Sequence, residues 1–170
     1  MKRVLFTIAF ITVCGALKAQ QLPGWFITAF KAHKLDIKYS MTPFLKPAFL
    51  TADFNGDKIP DIAVLVTEIK SKKKGVLLMH GKTCQYFVFG AGVKFGNGGT
   101  DFSWLKQWSV YKDRVVYQMQ FDKDGAMSGS KKVNLARRGL LVTDLEDGEP
   151  NSGGIIYWTG NTYTWIHQGE

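Results

Sequence analysis

The stretch Asp61-Ile62-Ala63-Val64-Leu65-Val66-Thr67-Glu68-Ile69 decides the fold. From Ile62 to Val66 every residue is apolar, and Ile62, Val64 and Val66 are β-branched. A run this short reads as a strand, and its lack of polar alternation predicts a central strand covered on both faces. Similar runs flank it. Ala48-Phe49-Leu50-Thr51-Ala52 precedes it, and Gly75 to His80 and Gln85 to Phe89 follow, with Gly81-Lys82 as a tight connection between them.

Further upstream, Pro43 and Pro47 bracket an irregular link. Before it, Phe26, Ala29 and Phe30 fall at helical spacing, and Trp25, Ile27 and Ala32 widen the apolar face, which predicts one helix from Trp25 to Leu35. Downstream, Gly90 to Gly99 is glycine-rich. It lies outside any βαβ pattern and reads as a loop rather than a phosphate cradle. Asp101 to Trp108 reads as a short helix or an irregular corner that buries Phe102, Trp104, Leu105 and Trp108. Arg114 to Phe121 and Ala126 to Leu135 flank the turn signal Asp122-Lys123-Asp124-Gly125. Gly139 to Thr143 is a further strand, followed by an acidic loop from Asp144 to Glu149. Ile155 to Trp158 and Tyr163 to His167 form a last hairpin around Gly160-Asn161. The expected fold is mainly β: a single antiparallel meander sheet, curled or barrel-like, with one N-terminal helix packed on it.

The chain opens with Met1-Lys2-Arg3, and an apolar run follows from Val4 to Leu17. That run is too short to span a membrane and fits a secretory signal, with cleavage expected after Ala19. An uncleaved N-terminal anchor or a buried helix is the alternative. Cys14 raises lipid attachment, but Val13 is too large for the position before a lipid-bearing cysteine. The expected organisation is a signal peptide over residues 1–19 and one domain over 20–170, exported to a periplasmic or extracellular place. The charge of the whole chain is +8, and loss of Lys2, Arg3 and Lys18 leaves 19 basic against 14 acidic residues. The basic residues are scattered apart from Lys70, Lys72, Lys73 and Lys74, which read as a solvated hairpin tip guarding a sheet edge. No nucleic-acid partner is expected. Cys84 is left as a lone thiol in a stretch that reads as a strand, so a buried, inert cysteine is expected.

One segment carries recognisable chemistry: Ala52-Asp53-Phe54-Asn55-Gly56-Asp57-Lys58-Ile59-Pro60-Asp61-Ile62-Ala63. Asp53, Asn55, Asp57 and Asp61 place oxygens at alternate positions of a tight loop, and the Ile59 carbonyl can add another. Calcium takes six to eight such hard oxygens. Three carboxylates this close repel one another unless a cation lies between them. The segment resembles the calcium loop of FG-GAP and VCBS-type repeats over residues 52–65. That resemblance implies side-chain ligation by Asp53, Asn55, Asp57 and Asp61, main-chain ligation by Ile59, and a structural calcium ion. It departs from the pattern at Lys58, where a glycine is usual, and in having one copy rather than a propeller's several. Phe89 to Gly96 and Tyr157 to Gly169 also resemble segments of small exported proteins that carry one such loop, a resemblance that brings no activity with it.

Trp104, Trp108, Trp158 and Trp165, with Tyr157 and Tyr163, offer either core packing or a sugar- or partner-binding face. Alternation places Tyr163, Trp165 and His167 on one side of the last strand, opposite Thr164 and Ile166. His33, His80 and His167 make no metal or triad spacing, and no nucleophile motif is present. Glu68, Asp101 and Asp113 are the carboxylates that folding could pair as acid and base. Two function classes follow. One is a non-enzymatic, calcium-stabilised module that binds an envelope protein or glycan. The other is a small envelope-acting hydrolase, distinguished by converging carboxylates away from Asp53–Asp61.

Overall fold

The computed structural model describes residues 21–169. The expected signal peptide, its cleavage site and Cys14 lie outside the described residues. Helix α1 (Gly24–Ala32) starts where Pro23 presets the helical φ, and the Phe26 amide donates to the Pro23 carbonyl at 3.1 Å. It ends short of the predicted Leu35 because Lys34 turns left-handed at φ 55°, with a 3-10 turn at Leu35–Ile37 beyond. Phe26, Ala29 and Phe30 are buried as their spacing predicts.

The first sheet holds β1 (Tyr39–Ser40), β2 (Phe49–Ala52), β3 (Asp61–Glu68), β4 (Lys74–Met79) and β5 (Tyr86–Gly90), all antiparallel. β3 is its hub. β4 bonds one side, while β2 and β1 share the other, pairing with its start and its end. Ile62, Val64 and Val66 pack with Leu77, Met79 and the α1 phenylalanines. Ala63 and Leu65 pack the opposite way, with Val76, Leu78 and Phe89. β3 is therefore covered on both faces, as its unbroken apolar run requires.

The chain continues through β6 (Gln107–Tyr111), β7 (Val115–Phe121), β8 (Met127–Asn134), β9 (Gly139–Glu146), β10 (Glu149–Trp158) and β11 (Tyr163–Gly169). A second antiparallel sheet has the order β11-β10-β9-β6. Leu140, Val142, Ile156, Trp158 and Tyr163 face the first sheet across the main core. Ile155, Tyr157 and Ile166 face the other way, against Val116 and Leu135 of the β7–β8 arm. The layers run helix, sheet, sheet, hairpin.

The mainly β, antiparallel character with one helix is as the sequence predicts. The strands divide among three sheets, however, and no barrel closes among the described residues. The cause is that β6 pairs with β9, which leaves the intervening β7–β8 hairpin off the sheet as a covering flap. The corner predicted at Asp101–Trp108 is irregular only as far as β6. The stretch from Asp144 to Glu149, expected as a loop, is the end of β9, a two-residue tip at Asp147-Gly148 with φ of 52° and 87°, and the start of β10. β10 shifts register between Pro150 and Gly153, a bulge that accommodates the proline. Cys84 is not in a strand: it is half-buried at φ 56° in the His80–Gln85 turn, which is longer than Gly81-Lys82. Among the described residues no helix is long and apolar enough to cross a membrane.

Candidate functional site

The acidic loop at Asp53–Asp61 joins β2 to β3 and is pinned to the core by Phe54, which is fully buried. Lys58 has φ 69°, the left-handed turn for which the resembled pattern uses glycine. Asp53 accepts from the amides of Gly56 at 2.6 Å and Lys58 at 3.0 Å. Asp57 accepts from the Ile59 amide at 2.8 Å and from the Asn55 side-chain amide at 3.1 Å. Asp61 is fully buried and accepts from Phe54, Asn55 and Gly81 amides at 2.9, 3.2 and 2.9 Å. Burial raises its carboxyl above the ordinary value, opposed by those amides and by His80.

This donor set, oxygen throughout and mostly anionic, fits a hard cation such as calcium. As placed, the side chains satisfy the backbone and one another. Among the described residues no three His, Cys, Asp or Glu side chains stand together as a metal-holding group. Asp53, Asn55 and Asp57 are only half-buried, whereas Asp61 is held in the core by its three amides.

His80 follows β4 and is almost fully buried, its Nε2 2.9 Å from the Tyr163 hydroxyl. Burial keeps its imidazole below the ordinary value, and raises the Tyr163 phenol. Phe87, Trp158 and Tyr163 surround the ring. His33 contacts the Cys84 carbonyl instead, and neither histidine belongs to a triad. Glu68 binds Ser71 and lies 3.9 Å from Lys38, while Asp101 accepts from the Lys74 and Ser103 amides. Lys70 and Lys72 are exposed at the β3–β4 tip, but Lys74 lies back over the Phe44 ring at 4.8 Å.

The aromatic supply resolves into two populations. Trp108 and Trp158 are buried in the core. Trp104 and Trp165 are half-exposed and meet edge to face at 6.4 Å. Trp165 lies against glycine backbone: a Cβ at Gly96 or Gly154 would fall inside its side chain, and one at Gly98 would crowd it. The glycine-rich loop is thus a bed for an indole. Two adjoining cavities, of about 280 and about 370 Å3, share Asn97, Trp165 and His167. Trp104, Gly98, Ser152 and Gly153 complete the first; Phe95, Gln118 and Phe121 help line the second. No Lys, Arg, Asp or Glu lines either one, so the converging carboxylates of a hydrolase are not in this cleft.

His167 Nδ1 lies 3.4 Å from both the Asn97 amide nitrogen and Trp165 Nε1, two donors that place the ring proton on Nε2. Nε2 itself is buried without a hydrogen-bond partner among the described residues. Burial lowers the imidazole below its ordinary value. Sequence reasoning set Tyr163, Trp165 and His167 on one strand face. It missed Asn97 and Gln118, which come from a glycine-rich loop and a separate hairpin and share no spacing with that strand. Comparison of the chain with family models, with characterised proteins and with solved structures finds no match.

Proposed function

We propose that this chain is an exported, calcium-stabilised, non-enzymatic module that binds a neutral glycan of the cell envelope in the cleft around Trp165. The observation that carries the reading is the lining of that cleft: half-exposed indoles beside Asn97, Gln118 and Ser152, with no charged side chain. Sugars offer apolar C–H faces to aromatic rings and hydroxyls to planar amides, so such a lining matches them in both respects. The acidic loop holds the entry to β3, and an ion there would stabilise the scaffold without taking part in recognition.

The test is titration of the protein with neutral envelope-derived oligosaccharides, read by tryptophan fluorescence and calorimetry. Wild type should bind, and Asn97→Ala and Trp104→Ala should each weaken binding at least about tenfold, or 1.4 kcal/mol. The reading fails if no neutral oligosaccharide binds, or if both variants bind as wild type does.

A further inference from the structure

A third cavity shares no lining residue with the neutral cleft and opens beside the Asp53–Asp61 loop. It measures about 400 Å3 and is lined by Asp53, Gly56, Lys58, Arg114, Ala136, Arg137 and Arg138. Its cations come from separate segments: the β2–β3 loop, the approach to β7, and the β8–β9 link. Arg137 lies flat on the loop, since a Cβ at Gly56 would come within 2.6 Å of its Nε. Arg114 is oriented by donating from Nη1 to the Ala136 carbonyl at 2.5 Å.

The charges are unbalanced. Four cationic side chains line the cavity against the single carboxylate of Asp53. That carboxylate already accepts from two loop amides. Among the described residues the one ion pair is Lys38–Glu68, so no carboxylate lies within 4.0 Å of Lys58, Arg114, Arg137 or Arg138. Like charges gathered around one cavity repel, and a multiply charged anion relieves that repulsion. Guanidinium forks suit tetrahedral oxyanions, which they bind through paired, charge-assisted hydrogen bonds.

We propose that this cavity binds a phosphate group. The site is independent of the glycan cleft and does not rest on calcium in the loop. The net positive charge of the lining favours doubly charged phosphate over a single carboxylate.

The experiment titrates the whole mature protein with inorganic phosphate by calorimetry, in buffer free of divalent cations and at constant ionic strength. Acetate and chloride serve as comparison anions. Wild type should bind phosphate at millimolar concentration or tighter and acetate at least about fivefold more weakly. Arg137→Gln and Arg138→Gln should each weaken phosphate binding about tenfold, whereas Lys70→Gln, at the distant β3–β4 tip, should not change it. Arg138 is exposed. Its variant therefore remains informative if Arg137→Gln fails to fold. Phosphate heats indistinguishable from acetate and chloride would overturn the site. So would equal binding by Arg138→Gln and Lys70→Gln, which would reduce the effect to general surface charge.

Discussion

His80 Nε2 and the Tyr163 hydroxyl stand 2.9 Å apart although 83 residues separate them in the chain, and they join the two sheets through a buried polar contact. His80 leaves the first sheet at the end of β4, and Tyr163 opens β11 of the second. Tyr163→Phe keeps the ring but leaves a buried imidazole nitrogen unpaired. Urea unfolding should show a loss of about 1–3 kcal/mol, the cost of stranding a buried polar group. A loss below about 0.5 kcal/mol would mean that the contact contributes nothing net.

Calcium should stabilise the protein. An ion bound only to the folded state adds RT ln(1 + [L]/Kd), or about 1.4 kcal/mol at tenfold excess over Kd. That corresponds to a rise of a few degrees in Tm. Magnesium should do much less, because it demands tighter octahedral geometry. Melting in calcium and in chelator, for wild type and Asp57→Ala, is the check. Identical wild-type curves would reduce the loop to a turn, and equal calcium stabilisation of Asp57→Ala would move the ion elsewhere.

Gly154→Ala should cost about 1–3 kcal/mol, because its Cβ lands within the Trp165 indole. Combined with Trp165→Phe, the same change should cost less than the two single effects added together. Strict additivity in that double-mutant cycle would contradict the close packing of indole on glycine.

Stability should fall as the solution is acidified. Burial lowers His167 from its ordinary 6.5, so the unfolded chain takes up a proton that the folded protein resists. His167 therefore imposes no penalty above about pH 6.5, and its penalty grows as pH falls from there toward the folded value. His80 is shifted in the same direction. The informative quantity is thus the stability difference between wild type and His167→Gln. It should shrink in denaturation series run from about pH 7.5 to about pH 5. A constant difference would show that His167 titrates alike in both states.

The parts of the fold legible in the sequence were those with one dominant signal. β3 declares itself because both of its faces are buried, and the Asp122–Gly125 turn because Asp122 accepts from the Asp124 and Ala126 amides. β6 was missed because its residues alternate weakly: Trp108 is buried, while Ser109, Val110 and Tyr111 are all half-covered. The split into separate sheets was hidden too, since it depends on β6 finding β9 across the whole intervening hairpin. Adjacency in sequence predicts neighbours, and this pairing breaks that rule. At the candidate sites, the acidic loop was readable because its oxygens lie within one short segment. The neutral cleft and the arginine cavity each gather residues from separate segments, so no local spacing announces them.

The order in which the chain is made gives the layered core one further consequence. The first sheet can complete its hydrogen bonds once β5 exists, yet its inner face, with Ala63, Leu65, Val76, Leu78 and Phe89, is covered by Leu140, Val142, Ile156, Trp158 and Tyr163. Until those late residues emerge, a finished sheet stands with an oily side facing water, and such surfaces invite aggregation. A chain folded only as far as β5 is therefore prone to aggregate, and loss of the last strand, which takes Tyr163 from that cover, should leave a protein that clumps instead of folding.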